Sequence, residues 1–196
     1  MSSLRERKKE RTRHALVDAA YELFSTHGYQ ATTLEEVAEL ADVHVQTLYR
    51  YFPTKESLAL ERIDEIHRRI RDPLMDPARE ADAVTTYVTV RAENFDAWKG
   101  NRQFHELWRM VDEVPILRGS QLSSFWDDEL ALADAIARDR GLAPEDDVHG
   151  RLVAGLLISI SIDAIERWGR ARADFDIRGF FETRAAYALD RFGRPG

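Results

Sequence analysis

Side chains suited to contact nucleic acid are concentrated in one short stretch, residues 45–51. They are Val45, Gln46, Thr47, Tyr49, Arg50 and Tyr51. A glutamine amide can pair with adenine through two hydrogen bonds, a threonine can pack on a thymine methyl group, and basic side chains neutralise phosphate. If the stretch is helical, Leu48 and Phe52 lie four residues apart and face inward, so these side chains face the other way. Val45 has two interpretations, because it could contact a thymine methyl group or simply pack.

The net charge of −7 conceals a basic N-terminus. Residues 1–55 carry as many basic as acidic side chains, so residues 56–196 carry the whole net charge. Within residues 1–13, two acidic side chains are outnumbered by six basic ones, which are Arg5, Arg7, Lys8, Lys9, Arg11 and Arg13. We expect a polyanion to be attracted to this end of the chain and repelled by the rest. The alternative is that the basic segment is solvated and inert.

The elements that must position these residues are all predicted to be helices, because apolar residues recur at helical spacing and strand-like alternation never persists. The sequence therefore predicts an all-α protein of about nine helices, at residues 10–26, 34–41, 45–51, 54–71, 79–98, 101–113, 116–139, 146–168 and 178–192. Thr33 and Glu36 form the pattern of a capping box at the start of the second helix. Helices 34–41 and 45–51, joined by a short turn, predict a helix-turn-helix whose second helix can enter the major groove.

Three segments of residues 10–60 carry a resemblance to a known family. They read TTLEEVA at 32–38, ADV at 41–43 and TLYRYFPTKESL at 47–58, and they resemble the tetracycline-repressor (TetR) family. The resemblance implies a homodimeric, ligand-responsive transcription factor, in most members a repressor, that binds a double-stranded and palindromic DNA operator. The stretch from Trp126 to Phe192 is similar to mycofactocin-type regulators of actinobacteria, which implies an acyl-CoA-like ligand.

The family resemblance assigns roles to individual positions. Val45, Gln46 and Thr47 would contact base edges, and Tyr49 and Tyr51 would contact phosphates. Thr33 and Lys55 would also contact phosphates. The predicted DNA-binding residues are Thr33, Val45, Gln46, Thr47, Tyr49, Arg50, Tyr51 and Lys55. For three of these residues a structural role is the alternative to a DNA contact. Thr33 could act only as a helix cap, Tyr49 could be a core residue, and Lys55 could be a solvated lysine.

The turn and the recognition helix depart from the family pattern at four positions. Asp42 replaces the usual turn glycine, and aspartate tolerates positive φ better than most residues. His44 replaces the usual serine cap, and Val45-Gln46 replaces a basic–glycine pair. The docking geometry is therefore expected to hold, whereas the operator sequence is left open.

The resemblance and the helix pattern together predict a division into a basic arm (1–9), a helix-turn-helix domain (10–53) and a ligand-binding and dimerisation domain (54–196). Helix 146–168 is apolar almost all round, and helix 178–192 has an apolar stripe. We expect both helices to cover their own core and to pair with a second copy across a two-fold axis. The predicted interface residues are Leu152, Leu156, Ser159, Ile160, Phe181, Ala185, Ala188 and Phe192. The alternative is a monomer with a thick core.

Aromatic side chains interleaved with cationic ones predict an effector site in the central helices. An apolar cavity with a few cationic donors suits an amphipathic ligand that bears a carboxylate or phosphate. The candidate residues are Tyr87, Arg91, Phe95, Trp98, His105, Trp108, Arg109 and Trp126. The alternative is an ordinary core with solvated arginines.

Several classes of protein are disfavoured. The chain has no cysteine, and its six histidines share no ligand spacing, so we predict no metal and no cofactor. No nucleophile elbow or phosphate loop points to an enzyme. The longest apolar stretch, residues 152–162, is short of the roughly 20 residues of a bilayer span, so we expect a cytoplasmic protein without a membrane partner. A helical protein-interaction module that does not bind DNA is the alternative function.

Overall fold

The computed structural model describes residues 4–171 and 175–193, and within these ranges every regular element is an α-helix. This confirms the predicted all-α class. In chain order the nine helices are α1 (Leu4–His27), α2 (Leu34–Leu40), α3 (Val45–Tyr51), α4 (Lys55–Met75), α5 (Ala83–Trp98), α6 (Arg102–Glu113), α7 (Pro115–Asp139), α8 (Val148–Arg170) and α9 (Ile177–Phe192).

Three helix boundaries differ from those predicted by four residues or more, and the others agree within two residues. α1 begins at Leu4 rather than at residue 10, so most of the segment predicted as an arm is helical. α4 continues past the predicted end at residue 71 and includes Pro73. Proline removes one backbone hydrogen bond, and the helix ends two residues later at Met75. α5 begins at Ala83 rather than at residue 79, because the Asp82 carboxylate accepts a hydrogen bond from the Thr85 amide and caps the helix there.

The chain packs into two compact units. One consists of the residues up to 65 together with 102–121, and the other consists of residues 66–101 and 122–196. α4 and α7 contribute residues to both units by sequence. The grouping reflects packing, so the predicted functional division between residues 53 and 54 stays a prediction.

The first unit has an apolar core that fixes α3. Leu48 of α3 and Phe52 at its end are buried, as their spacing predicted, together with Leu16 of α1 and Val37 of α2. The Tyr21 hydroxyl of α1 donates a hydrogen bond to the Ala59 carbonyl of α4 at 2.5 Å. α3 is too short to be stable alone, so its position depends on this packing.

The second unit has an aromatic core built by α5, α8 and α9. The ring of Phe95 packs edge to face against Phe181 and Trp98, and Tyr87 packs against Phe181 as well. The Tyr87 and Ser161 hydroxyls are hydrogen-bonded at 2.7 Å, which satisfies both groups in the interior.

α8 is the one described helix that is long and apolar enough to cross a membrane. Length and composition do not separate such a span from the core helix of a globular protein. Val153, Leu157, Ile158 and Ile165 of α8 are buried in the core of the chain itself, which favours a core helix.

Candidate nucleic-acid interface

The α2–turn–α3 unit is held by local hydrogen bonds. The Thr33 hydroxyl accepts from the Glu36 amide at 3.2 Å, and the Glu36 carboxylate accepts from the Thr33 amide at 2.8 Å, so the predicted capping box is confirmed. Asp42 adopts φ of +53° in the turn, the strained conformation that its position required. His44 caps α3, since its Nδ1 atom accepts from the Gln46 amide at 3.3 Å.

The face of α3 opposite the core is open to solvent. Gln46 and Arg50 are exposed, and Tyr49 is 44% exposed. The other predicted contact residues on this helix, Val45, Thr47 and Tyr51, are half-buried. The interpretation of Tyr49 as a core residue is therefore wrong, whereas its contact with DNA stays a prediction.

The phenol of Tyr49 is hydrogen-bonded to a carboxylate of α2. Its hydroxyl donates to Glu35 Oε1 at 3.1 Å. This hydrogen bond, followed by the negative charge of Glu35, raises the pKa of Tyr49 above its ordinary value. The sequence did not reveal this pairing, because it joins residues on two helices.

Lys55, the first residue of α4, holds the segment between α1 and α2. Its ammonium donates to the carbonyl oxygens of Tyr29, Gln30 and Thr32 at 2.8, 3.2 and 3.1 Å. It also lies 4.5 Å from the centroid of the Tyr29 ring. All three ammonium hydrogens have partners, so the interpretation as a solvated lysine is wrong, and the predicted phosphate contact would require one carbonyl contact to be given up.

A basic groove lies between the start of α1 and the exposed side of α3. It has a volume of about 640 Å³, and its lining residues are Arg5, Lys8, Lys9, Thr12, Thr47, Arg50 and Tyr51. The lining contains four cationic side chains and no carboxylate. The groove is formed because α1 is helical from Leu4, which fixes its basic residues beside α3. Sequence reasoning treated the two segments separately and so missed the groove.

One residue of the basic segment has another role. The Arg13 guanidinium forms an ion pair with Glu61 of α4, with Nε 3.0 Å from Oε1, and lies 5.0 Å from the centroid of the Phe52 ring. Arg13 therefore ties α1 to α4 within the first unit.

The predicted effector residues fall in two sets. In the second unit, Tyr87, Arg91, Phe95 and Trp98 are buried. Trp126, also in that unit, is 58% exposed, with the Arg151 guanidinium 5.3 Å from its ring centroid, so it lies outside the buried aromatic core, and its role in effector binding stays a prediction.

The other three predicted effector residues, His105, Trp108 and Arg109, belong to α6 and the first unit. Arg109 is exposed and pairs with Glu106 at 2.6 Å, so it does not point into the core. His105 and Trp108 are half-buried. No group of three or more potential metal ligands occurs among the described residues.

The predicted dimer residues also divide by exposure. Leu152 is 68% exposed, Ser159 and Phe192 are exposed, and Leu156 and Ile160 are half-buried. Phe181, Ala185 and Ala188 are buried in the core of their own chain. Their prediction as interface residues is corrected, since a side chain with almost no surface in the single chain has little to offer a partner. Tyr187, exposed on α9, was missed.

The fold and the site define a helix-turn-helix protein of the DNA-binding class. A model of bacterial regulatory proteins of the tetR family matches residues 16–61, and a model of the MftR C-terminal domain matches residues 72–189. The chain belongs to the TetR family of transcriptional regulators, in the group with the MftR-type C-terminal domain. The family named from residues 10–60, and the similarity of the C-terminal stretch to mycofactocin-type regulators, are thereby confirmed.

Individual relatives agree with this assignment. The chain is 30% identical to the HTH-type transcriptional regulator TcmR of Streptomyces glaucescens over 181 residues, which is 89% of this chain and 80% of TcmR. The structure of SmeT, the repressor of a Stenotrophomonas maltophilia multidrug efflux pump, in complex with triclosan has a TM-score of 0.67 at 19% identity and covers 91% of this chain and 90% of SmeT. Thermus thermophilus FadR in complex with lauroyl-CoA has a TM-score of 0.61 at 20% identity, with 94% of this chain and 99% of FadR covered. At these identities the structures show the fold alone.

Proposed function

We propose that this TetR-family protein is a homodimeric repressor in the cytoplasm that leaves its operator when a small amphipathic or apolar effector binds. The observation that carries the proposal is the exposed face of α3 beside a groove lined by four cationic side chains. A surface of this kind suits a duplex, because cations neutralise phosphates while neighbouring polar side chains meet base edges.

Contacts to DNA divide into those that read sequence and those that position the helix. Gln46 and Thr47, near the N-terminus of α3, would read base edges, and Val45 would add an apolar contact. Phosphates at the groove would be contacted by the lining residues Arg5, Lys8, Lys9, Arg50 and Tyr51. Tyr49, which is exposed on α3 outside this lining, would contact a further phosphate. Thr33 would add its exposed hydroxyl at the start of α2, and Lys55 would act chiefly by holding the α1–α2 segment.

A second copy of the chain would cover the exposed apolar residues of α8 and α9. Leu152, Tyr187 and Phe192 expose large apolar surfaces that single-chain packing leaves uncovered. When such a dimer binds DNA, we expect its two α3 helices to lie about 34–36 Å apart, because this is the spacing of successive major grooves on a palindromic operator.

The effector would bind in the second unit, among its aromatic side chains. Triclosan in SmeT and lauroyl-CoA in FadR show the kinds of ligand that proteins of this fold hold. If the effector favours a conformation that DNA disfavours, each ligand weakens the binding of the other by the same factor.

Selection of binding sites from random duplex DNA tests the proposal. We expect enrichment of a palindromic sequence that binds the wild type and loses affinity for Gln46→Ala, with Gln121→Ala as the matched control on α7. A compound screen on the selected duplex would then yield ligands that release the protein. Failure to enrich any sequence would overturn the proposal.

A further inference from the structure

Arg91 of α5 is a buried cation whose hydrogen-bonding capacity is largely unused. Its side chain is 0% exposed, and Asp128 of α7 faces it at 3.5 Å between Nη2 and Oδ2, the outer limit of a hydrogen bond. The Nε and Nη1 atoms of Arg91 are also buried, and they donate to no residue in the part of the chain that the structure describes.

Aromatic rings surround this guanidinium. The centroids of Tyr87, Phe95 and Phe125 lie 5.6, 5.7 and 5.9 Å from its central carbon. The rings stabilise the positive charge, but they accept no conventional hydrogen bond from Nε or Nη1. Buried N–H groups of a charged side chain are costly when unmatched, so a further acceptor at Nε or Nη1 would be strongly favoured.

The charges nearby favour a negatively charged acceptor. Asp128 is the buried carboxylate of this cluster and is shared, because His67 Nδ1 lies 2.7 Å from Oδ2 and Arg71 Nη1 lies 3.4 Å from Oδ1. One buried carboxylate therefore faces two guanidinium groups and an imidazole. Arg71 also lies 3.8 Å from the exposed Asp127, which offsets part of its charge from the solvent side.

We propose that the guanidinium of Arg91, through its unused Nε and Nη1 sides, binds the anionic head group, a carboxylate or a phosphate, of an amphipathic effector. Nε–H and Nη1–H point to different sides of the planar guanidinium, so the head group would pair one of them with a hydrogen of Nη2, which Asp128 holds only at 3.5 Å. The aromatic side chains around the guanidinium would receive the apolar part of the ligand. The inference rests on the proposed function, since it names the chemical class of the effector.

Binding at Arg91 also suggests how the signal reaches α4. An added anion competes with Asp128 for Arg91. This competition would change the contacts that Asp128 makes with His67 and Arg71, which are both on α4. The N-terminus of the same helix carries Lys55, which holds the segment before α2.

Calorimetric titration with matched probes tests the proposal. Dodecanoate, dodecyl phosphate and dodecanol are added to the wild type below their micellar concentrations. We expect at least one anionic probe to bind about ten- to a hundredfold more tightly than dodecanol, the difference that hydrogen bonds to a charged group supply. Which anion binds better distinguishes a carboxylate from a phosphate ligand. Equal affinity for all three probes, or binding of none, overturns the proposal.

Variants assign the preference to Arg91. Arg91→Gln should remove the head-group preference, whereas Arg138→Gln, an exposed arginine of α7, should keep it. If Arg91→Gln does not fold, an NMR measurement on the wild type replaces this variant. It follows the Nε–H resonance of Arg91, which is assigned because it is missing from the spectrum of Arg91→Lys. That resonance should shift with the anionic probe and not with dodecanol, and an unchanged resonance contradicts the assignment.

The two proposals fail separately. Selection of an operator without a head-group preference removes only the Arg91 site. A head-group preference without a selected operator removes the DNA-binding proposal and keeps the anion site.

Discussion

The Tyr49 hydroxyl of α3 donates a hydrogen bond to Glu35 of α2 at 3.1 Å, so a side chain suited to bind phosphate is paired with a carboxylate on the same surface. A phosphate that approaches Tyr49 must compete with Glu35 for the phenol and is repelled by its charge. If Tyr49 contacts phosphate as proposed, Glu35 would oppose DNA binding in these two ways, while in the free protein it fixes the position of the phenol.

Glu35→Gln should therefore strengthen operator binding. The substitution removes a negative charge near the phosphates, and we expect a gain of a few-fold in affinity that shrinks at high salt. Fluorescence anisotropy with the selected duplex measures this. Glu22→Gln, on the exposed side of α1, makes the same change in charge away from α2 and α3 and should have a smaller effect. Equal gains in both variants would mean that only the total charge matters.

Lys8→Ala and Lys9→Ala should weaken binding to all duplexes alike. Each lysine lines the basic groove, and each phosphate contact that is lost should reduce the slope of log K against log salt by about 0.9. Lys99→Ala, an exposed lysine at the end of α5, is the matched control. Unchanged slopes in the two groove variants would exclude the groove from the interface.

Lys55→Met should destabilise the protein. The ammonium donates to three backbone carbonyls, and loss of these charge-assisted bonds should cost about 1–3 kcal/mol of the free energy of unfolding. Urea denaturation measures the loss, with the exposed Lys99→Met expected to change stability by less than about 0.5 kcal/mol. A fully stable Lys55→Met that no longer binds the operator would instead assign Lys55 to phosphate.

The capping box of α2 should contribute to acid sensitivity. Hydrogen bonds from the Thr33 amide and hydroxyl lower the pKa of Glu36 below its ordinary value. Its stabilisation is therefore complete above the unfolded pKa of about 4.3 and is lost as the pH falls through the lower folded value. Thermal unfolding of the wild type and Glu36→Gln should differ near neutral pH and converge in acid. A difference that is constant with pH would contradict the assignment.

Leu152→Glu should shift the protein towards a monomer. Leu152 of α8 is largely exposed in the single chain, and a charge at a buried interface is strongly unfavourable. Sedimentation equilibrium should give about twice 22.6 kDa for the wild type and a lower mass for the variant. Leu40→Glu, at an exposed leucine of α2, should leave the mass unchanged. A wild type that sediments as a monomer at micromolar concentration would contradict the dimer.

The sequence was sufficient to predict the parts of the fold that depend on neighbouring residues. The capping box, the positive φ of Asp42 and the inward side of α3 follow from side-chain chemistry and spacing within a few positions. Helix ends were less predictable, since α1 extends to Leu4 through residues that carry no strong start signal.

Properties that depend on tertiary contacts were not predictable. Apolar spacing could not separate Phe181, which is buried in its own chain, from Leu152, which is exposed, because each belongs to the apolar pattern of its own helix. The three carbonyl partners of Lys55 and the pairing of Tyr49 with Glu35 arise only when distant segments meet.

Site-directed cleavage of DNA tests most directly whether α3 enters the major groove. The chain has no cysteine, so Gln46→Cys creates a single thiol that can carry a tethered iron–EDTA group. On the selected duplex we predict cleavage centred on two major-groove segments about 10–10.5 base pairs apart. Ser159→Cys, exposed on α8, should give none of this pattern. Cleavage that is absent, or uniform along the duplex, for Gln46→Cys would contradict the account.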